Sequence, residues 1–441
     1  MARTLTPVDG YAIMNELVRQ ATGQKSASVV DLSSFVSAGE TVWSTGTENV
    51  FNALGMVVGR LFVATRPYNA QLALMNTMGT DGYTSRMRKV SFYAKDALAS
   101  GYFNTNLYTN LADGFTAGQN PDGNGDAQST KSQWEQHPAM PVEFNFAGST
   151  VWDDCITMYE EQVRAAFRSP EELAQFVAGI LTEHANDIES QKEAFNRMTL
   201  LSKIGQCYLY TKGAAWVQGG ALNLTSAYNA KFGTNYTSAE LRSTYLKSLL
   251  EFMVATIREV SDTMKMRGTR YHLPMTKTVN GVSYSILRHT PYDRQRLYLF
   301  QPLFREAEAM VLPEIFNPDR LDLKKQYEPV EFWQTYGNTV EDRAAVKVRV
   351  PFYDKSTGVQ SSSGDIELDY VVGLITDEDG LMVDYQIERA ISTPVEARKG
   401  YRNTWLHMSK NAITDPTENA VLIYMNDEDV VPVVPDVDGE A

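Results

Sequence analysis

The feature of the sequence that most constrains the fold is one long run of helical periodicity. Ser169 is a typical helix cap, and the proline and two glutamates after it are typical of a first helical turn. Apolar positions then recur at helical spacing until Gly205, where we expect the helix to end. At 1.5 Å per residue this run is roughly 50 Å long, wider than a small domain, so it predicts a structural spine. The face that we expect to be buried carries Leu173, Phe176, Val177, Ile180, Leu181, His184, Ile188, Phe195, Met198 and Leu201.

A second helix is predicted from Thr237 to Gly268. Glu240 lies three residues after Thr237, so the two residues can form a capping box at the helix start. Both helices carry an apolar stripe that is typical of core packing rather than of a cofactor groove. The stripe of the second helix consists of Leu241, Tyr245, Leu249, Met253, Ile257, Val260 and Met264.

Two segments with strand-like alternation flank a long polar segment. They are "SRMRKVSFYAK", which places Val90 and Phe92 on one side and Tyr93 on the other, and "MPVEFNFAG". Between them lie roughly 40 residues rich in Asn, Gly, Asp, Thr, Ser and Gln; a stretch this long is more often a protruding functional loop than part of a compact domain. The pattern therefore predicts an extended β-hairpin that leaves the body of the molecule.

The tip of this segment, "NPDGNGDAQS", alternates oxygen ligands in the way a calcium loop does. Asp122, Asn124 and Asp126 would be the first three ligands, but Ala127 and Gln133 stand where such a loop needs Gly and a bidentate Glu. A phosphate loop would need a Lys and a Ser or Thr after the glycines. We therefore expect turn-forming residues at a hairpin tip and neither a metal nor a phosphate site.

The N-terminal residues predict a helix followed by an arm. "GYAIMNELVRQAT" has a helical apolar face that Gly23 terminates, and "GQKSASVVDLSSFVSAGE" after it is rich in small residues and is predicted to be extended. An ordinary N-terminal helix with a linker and an arm that docks on a neighbouring subunit both fit this pattern. The residues on the helical face are Tyr11, Met14, Leu17, Val18 and Ala21.

The C-terminal half is predicted to mix strands with one helix. "RQRLYLFQPLFREAEAMVLPEIF" predicts a strand and then a helix, and "VVGLITDEDGLMVDYQIER" predicts a β-hairpin that turns at Asp379-Gly380. "RNTWLHMSKNAITDPTENAVLIYM" predicts a late turn and one final apolar strand. An acidic tail follows.

Nothing in the sequence predicts a catalytic constellation. GxSxG, HExxH and CxxC are absent, and the five histidines are scattered along the chain. The chain has two cysteines, Cys155 and Cys207, which argues against a disulfide-stapled secreted domain and fits folding in a reducing cytosol. Acidic neighbours of Cys155 are expected to raise its pKa, which makes it a poor nucleophile.

The net charge of the chain limits the kinds of partner that it can bind. With 40 basic and 54 acidic side chains the formal charge is -14, which argues against a nucleic-acid-binding surface. It does not exclude a protein wall that encloses nucleic acid, because a negative wall repels the phosphates and limits non-specific binding. No apolar run approaches the ~18 residues of a membrane span. We expect no membrane association, and synthesis without export.

The order of arm, hairpin, spine and later strands resembles the major capsid proteins of tailed bacteriophages, which have the Hong Kong 97 type fold. The chain is most similar to those of small short-tailed phages of the picovirus group. Three stretches carry the resemblance: "AAFRSPEELAQFVAGILTEHANDIESQKEAFNRMTLLSKIG", "HTPYDRQRLYLFQPLFREAEAMVLPEIFNPDRL" and "GLITDEDGLMVDYQIERAISTPVEARKGYRNTWLHMSK", the last followed by "NAVLIYM". An immunoglobulin-like module that similar proteins carry at the C-terminus is not expected here.

The resemblance implies an α+β fold with no enzyme activity, no cofactor and no metal. It implies self-assembly through pentamers and hexamers into an icosahedral or prolate shell around double-stranded DNA, without sequence-specific binding and with portal and scaffold proteins as partners. The expected location is the virion capsid after synthesis in the cytoplasm of a bacterial host. The expected domains are an N-terminal arm (1–45), a peripheral segment (46–66), the extended hairpin (67–150), a peripheral domain with the spine (151–268), an axial domain (269–400), a peripheral return strand (401–425) and an acidic tail (426–441).

Three basic residues on the first hairpin strand are the candidate site residues. Arg86, Arg88 and Lys89 are predicted to pair with an acidic neighbouring subunit, and nucleic-acid binding is the alternative. Two rival functions stay open: an encapsulin-like compartment shell of the same fold, and a hydrolase that uses acidic residues such as Asp377 and Asp379.

The hairpin prediction can be tested by deletion. We expect a chain that lacks residues 112–132 to fold as a monomer but to form few closed shells, because the segment contributes to contacts between subunits rather than to the core. Circular dichroism checks the fold and negative-stain electron microscopy counts the shells. Normal particles from the deleted chain would contradict the prediction.

Overall fold

The computed structural model describes residues 7–23, 29–54, 76–77, 86–94, 140–147, 150–213, 220–273, 275–279, 282–310, 327–353 and 360–427. The calcium-like tip with Asp122, Asn124 and Asp126 lies outside the described residues, as do the side chains of Arg86 and His184 and the tail from residue 428 onward.

The described residues form a mixed helical and sheet structure, so the predicted α+β class is confirmed. The helices span Pro7–Thr22, Leu32–Ser44, 47–54, Glu160–Ala166, Pro170–Tyr208, Leu224–Phe232, Ser238–Ser243, Leu246–Met264, Gln301–Met310 and Val340–Ala344. The strands, β1 to β17, are Asn76–Thr77, Arg86–Tyr93, Met140–Ala147, Thr150–Tyr159, Ala221–Asn223, Thr276–Val279, Val282–Ser285, Gln295–Phe300, Tyr327–Val330, Val346–Val348, Pro351–Tyr353, Gln360–Ser362, Ile366–Leu368, Tyr370–Asp377, Leu381–Ser392, Tyr401–Thr414 and Ala420–Met425.

The predicted spine helix is confirmed as Pro170–Tyr208. Ser169 caps it by accepting a hydrogen bond of 3.1 Å from the Glu172 N–H. The prediction that the helix ends at Gly205 is wrong, because Gly205 lies inside the helix. A Cβ at this position would lie 2.8 Å from methyl carbons of Val348 and of Val350, so glycine permits a close approach between the helix and the chain at β10.

The second predicted helix begins as expected but is interrupted. Thr237 and Glu240 form the capping box. The helix breaks after Ser243 and resumes as Leu246–Met264, because the N–H groups of Thr244 and Tyr245 both donate to the Glu240 carbonyl. Serine, threonine and tyrosine at this break are only moderate helix formers.

Two sheets organise the described chain. The five-stranded sheet has the order β5-β17-β14-β8-β9, and every residue of β14 and β17 in it is buried. It packs with the second half of the spine helix and with Leu246–Met264 around one large core. The four-stranded sheet has the order β1-β15-β16-β4. Its core contains the N-terminal helices and the first half of the spine helix, so the spine joins both cores.

The prediction of a β-hairpin that turns at Asp379-Gly380 is wrong. The two strands exist, but β14 lies between β17 and β8 while β15 lies between β1 and β16. Both edges of β14 are therefore occupied, and a short 3-10 turn, Glu378–Gly380, carries the chain from one sheet to the other. The long strand β16 was predicted only as a late turn, because its alternation of buried and half-buried positions uses many polar residues.

The extended conformation predicted for residues 23–40 is wrong from Leu32 onward, where the helix Leu32–Ser44 begins. The Ser34 N–H donates to the Asp31 carboxylate and the Asp31 N–H donates to the Ser34 hydroxyl, which completes a capping box. Phe35 on this helix is fully buried in the core of the four-stranded sheet. This part of the expected arm therefore packs on its own chain.

The predicted domain limits at 268/269 and 400/401 stay predictions. In the structure, residues on both sides of each limit pack or pair with one another. β15 and β16 pair along most of their length across the second limit. Leu246–Met264, on one side of the first limit, shares its core with β8 and β14 on the other side.

Gly205 offers a matched test of this packing. We expect Gly205→Ala to destabilise the chain by about 1–3 kcal/mol, because the added methyl overlaps two stiff valines. Gly179→Ala is the control: beyond the backbone of its own helix, no atom lies within 4 Å of the place where a Cβ would stand, so helix propensity alone should stabilise that variant by up to about 1 kcal/mol. Urea unfolding of the unassembled chains gives both values, and shifts of the same sign would contradict the packing argument.

Candidate assembly interface

The predicted hairpin is present in the described residues as two paired strands. β2 and β3 pair antiparallel from Arg86 opposite Ala147 to Tyr93 opposite Met140. Side chains alternate across the pair, as predicted: Val90 and Phe92 are 50% and 59% exposed on one face. The other face turns toward the body of the protein.

The outer hairpin face is defined by the exposed residues of both strands. Its members are Arg88, Val90, Phe92, Pro141, Glu143 and Asn145. Arg88 and Glu143 form an ion pair of 2.6 Å on this face, and its exposure limits its contribution to stability. Val90, Phe92 and Pro141 leave apolar side chains exposed beside this ion pair.

The opposite face of β2 carries a buried ion pair with the turn between β16 and β17. The Lys89 ammonium contacts the carboxylates of both Asp415 and Glu418. The Lys89 side chain is 17% exposed and that of Asp415 is fully buried. Thr417 donates to the second Asp415 oxygen, Oδ1, through its N–H at 2.8 Å and its hydroxyl at 2.7 Å.

Two further cations complete what we call the anchor cluster: Lys89, Lys203, Arg288, Asp415 and Glu418. Arg288 Nη2 lies 2.7 Å from the Ser91 hydroxyl and 3.3 Å from Glu418 Oε1, and its Nε donates to the Thr417 carbonyl at 3.1 Å. Lys203 of the spine helix donates to the Asp415 carbonyl at 2.7 Å.

The electrostatics differ within the cluster. Burial opposes ionisation of Asp415, but Lys89 and the hydrogen bonds from Thr417 outweigh it and hold the pKa of Asp415 below its ordinary value. At Glu418 burial prevails over Lys89 and Arg288, so the pKa of Glu418 is raised. Burial lowers the pKa of the Lys203 ammonium.

The turn that carries these acids is itself fixed by backbone hydrogen bonds. The Asp415 N–H donates to the Gly380 carbonyl at 3.1 Å, and the Leu273 N–H donates to the Pro416 carbonyl at 2.8 Å. The Asn419 carbonyl accepts at 2.9 Å from Asp377 at the end of β14. The acids are therefore held rigidly between the two sheets.

The sequence-predicted site residues separate in the structure. Arg86 opens β2, Arg88 lies on the outer hairpin face, and Lys89 is bound inside its own chain. Contacts of Arg86 and Arg88 with a neighbouring subunit stay predictions, whereas Lys89 already has two acidic partners in its own chain. Sequence reasoning missed Arg288 and Lys203, and it treated the polar run between β16 and β17 only as a turn.

Arg294 contacts both acidic residues of the rival hydrolase hypothesis. Asp377 accepts from the Thr290 hydroxyl at 2.8 Å and from Arg294 at 3.2 Å. Arg294 also pairs with Asp379. In the part of the chain that the structure describes, no group of three or more His, Cys, Asp or Glu side chains could hold a metal ion. Within the same residues, no helix has the length and apolar character to cross a membrane.

Comparison with protein families decides the assignment. Residues 143–424 match the model of the Phi29-like phage major capsid protein. The chain belongs to this family. The matched span contains four members of the anchor cluster, and Lys89 lies before it.

Comparison with solved structures finds similar capsid folds at low identity. The capsid structure of Staphylococcus phage Andhra is 11% identical over 81% of this chain and 85% of that chain, with a TM-score of 0.48. A structure of the head fibre and inner core protein of bacteriophage P68 is 9% identical over 81% and 85%, with a TM-score of 0.47. A search of curated proteins finds no match.

The capsid protein is a shell-forming head protein of a phage, and its location is the virion. The predicted kinship, function and location are confirmed at this level, and the compartment and enzyme alternatives are not favoured. The narrower placement among short-tailed phages of the picovirus group stays a prediction.

The anchor cluster predicts a defined pH dependence. We expect Lys89→Met to lower the free energy of unfolding by about 3 kcal/mol near neutral pH, because it breaks a buried pair. As the pH falls, Glu418 is protonated first because its pKa is raised. Asp415, whose folded pKa is depressed, contributes stability above its ordinary pKa of about 3.9 and loses it as the pH falls through the folded value.

The difference between wild type and Lys89→Met should therefore shrink as the pH falls and vanish once both carboxyls are protonated. Urea unfolding of the unassembled chains across the acidic range measures it. Arg88→Met, which removes the exposed cation from the neighbouring position, should cost less than about 1 kcal/mol at any pH. A difference for Lys89→Met that does not change with pH would contradict the assignment.

Proposed function

We propose that copies of this capsid protein close into an icosahedral or prolate head around double-stranded DNA, with the outer hairpin face lying against a neighbouring subunit. The family match supports a shell. The resemblance to the Hong Kong 97 type supports pentamers and hexamers, with residues 269–400 near their centres and the hairpin reaching across a subunit boundary.

The exposed apolar surface of the hairpin is the observation that carries the proposed contact. Val90 and Phe92 are half or more exposed, and Pro141 stands opposite Phe92 in the register. In the described sheets β2 and β3 pair only with each other, so no third strand covers their edges. A neighbouring subunit that covers this patch gains about 25 cal/mol for each Å² of apolar surface removed from water.

The charges of the chain fit a contact between copies of it. Arg86 and Arg88 are the proposed basic partners, because a chain with net charge -14 offers many acidic surfaces to a cation. Lys89 is not part of this contact, since its ammonium is bound by Asp415 and Glu418 of its own chain.

The same acidic balance supports enclosure of DNA without tight binding. A wall of like charge repels the phosphate backbone, so a packaged genome would not adhere to it. Portal and scaffold proteins are the further partners that we propose, on the resemblance alone.

A charge placed in the apolar patch tests the contact. We expect Phe92→Asp to raise the protein concentration needed for shell formation by at least about tenfold, because the buried side chain is worth roughly 1.5–3 kcal/mol per contact. Mass photometry and negative-stain electron microscopy over a concentration series measure the threshold.

Met266→Asp is the matched control, since Met266 is 71% exposed and lies outside the hairpin. It should leave the threshold within about twofold of wild type. Shell formation by Phe92→Asp at the wild-type threshold would contradict the proposed contact.

A further inference from the structure

Polar contacts with the body hold the part of the hairpin that the structure describes. Lys89 contacts the two acids of the anchor cluster, and Ser91 accepts from Arg288 at 2.7 Å. One backbone bridge joins Ala94 to Ser285 through hydrogen bonds of 2.8 and 3.1 Å. Phe146 adds an apolar contact with Met382 and Ile413.

Such an attachment determines the direction of the hairpin. None of the other described strands pairs with β2 or β3. A two-stranded hairpin has little stability of its own, so its direction depends on what holds it on the body. Lys89 lies between Arg88 and Val90, which belong to the outer hairpin face. The position of Lys89 therefore sets how that face is presented.

Both buried acids keep other partners when Lys89 is withdrawn. The Lys89 ammonium binds Oδ2 of Asp415, whereas Thr417 holds Oδ1. Glu418 shares its Oε1 between Lys89 and Arg288, and keeps Arg288 when Lys89 leaves. These remaining partners lower the free-energy cost of leaving the two carboxylates without Lys89. The state in which the hairpin is detached from the body therefore becomes accessible.

We infer that the anchor cluster is a latch: with Lys89 between Asp415 and Glu418 the hairpin is fixed on the body, and with Lys89 withdrawn the hairpin swings at its base while the body stays folded. The latch is a property of the single chain. Its consequence for assembly, that the latched hairpin presents the outer face to the next subunit, rests on the proposed function.

Hydrogen exchange of the unassembled full-length chain tests the latch. The amides of Ala94 and Ser285 report on it, because each donates only across the bridge between hairpin and body. In Lys89→Met we expect these two amides to exchange at least roughly tenfold faster than in wild type. In both proteins the β15–β16 ladder should stay better protected than the bridge amides, because its exchange requires unfolding of the body.

Arg88→Met is the matched control, because it removes a cation from the outer face of the same strand; it should leave the bridge amides unchanged. Unchanged exchange at Ala94 and Ser285 in Lys89→Met would overturn the latch. Bridge amides that exchange in wild type with the same opening free energy as the β15–β16 ladder would also overturn it, because the hairpin would then leave the body only when the body unfolds.

A milder variant keeps the test decisive if Lys89→Met does not fold. Ser91→Ala removes only the hydroxyl that accepts from Arg288, and we expect a smaller acceleration, roughly threefold, at the same two amides. No acceleration would overturn the latch.

Shell formation by the same variants separates the latch from the proposed function. Slower assembly of Lys89→Met together with faster bridge exchange supports both. Normal shells together with faster bridge exchange would leave the latch standing and contradict the role of the hairpin in assembly.

Discussion

The buried turn from Asp415 to Asn419 is the constraint on which the rest of the structure depends. It joins the four-stranded sheet to the five-stranded sheet, and its Asp415 N–H donates to the Gly380 carbonyl in the turn between β14 and β15, which also connects the two sheets. Lys203 of the spine helix donates to its first carbonyl, and Lys89 of the hairpin binds its carboxylates. Because buried polar groups require partners, this one turn fixes the sheets, the spine and the hairpin relative to one another.

The alternation of side chains along β2 divides two tasks between the faces of one strand. The face with Lys89 and Ser91 attaches the hairpin to its own body through charge and hydrogen bonds. The face with Val90 and Phe92 leaves apolar surface exposed. Side chains alternate every two residues along a strand, so a shift of β2 by one residue would exchange its two faces. The arrangement suits a subunit that must hold its own shape before it contacts another.

Local sequence patterns predicted many helices and strands. They could not predict contacts between residues that are far apart in the sequence. The Ser169 cap and the helical spacing predicted the spine, and strand alternation predicted β2 and β3. The inter-sheet turn at Gly380 was mistaken for a hairpin, because a turn signal does not show with which strands its neighbours pair. Lys89 and Asp415 are 326 residues apart, so no sequence window could show that this cation already has an acidic partner in its own chain.

An electron cryo-microscopy reconstruction of the assembled shell at side-chain resolution tests the central claim most directly. The account predicts that Phe92 is covered by a neighbouring subunit, while Lys89 stays bound to Asp415 and Glu418 of its own chain. A shell in which the outer hairpin face points to solvent, or in which Lys89 pairs with an acid of the neighbouring subunit, would contradict it.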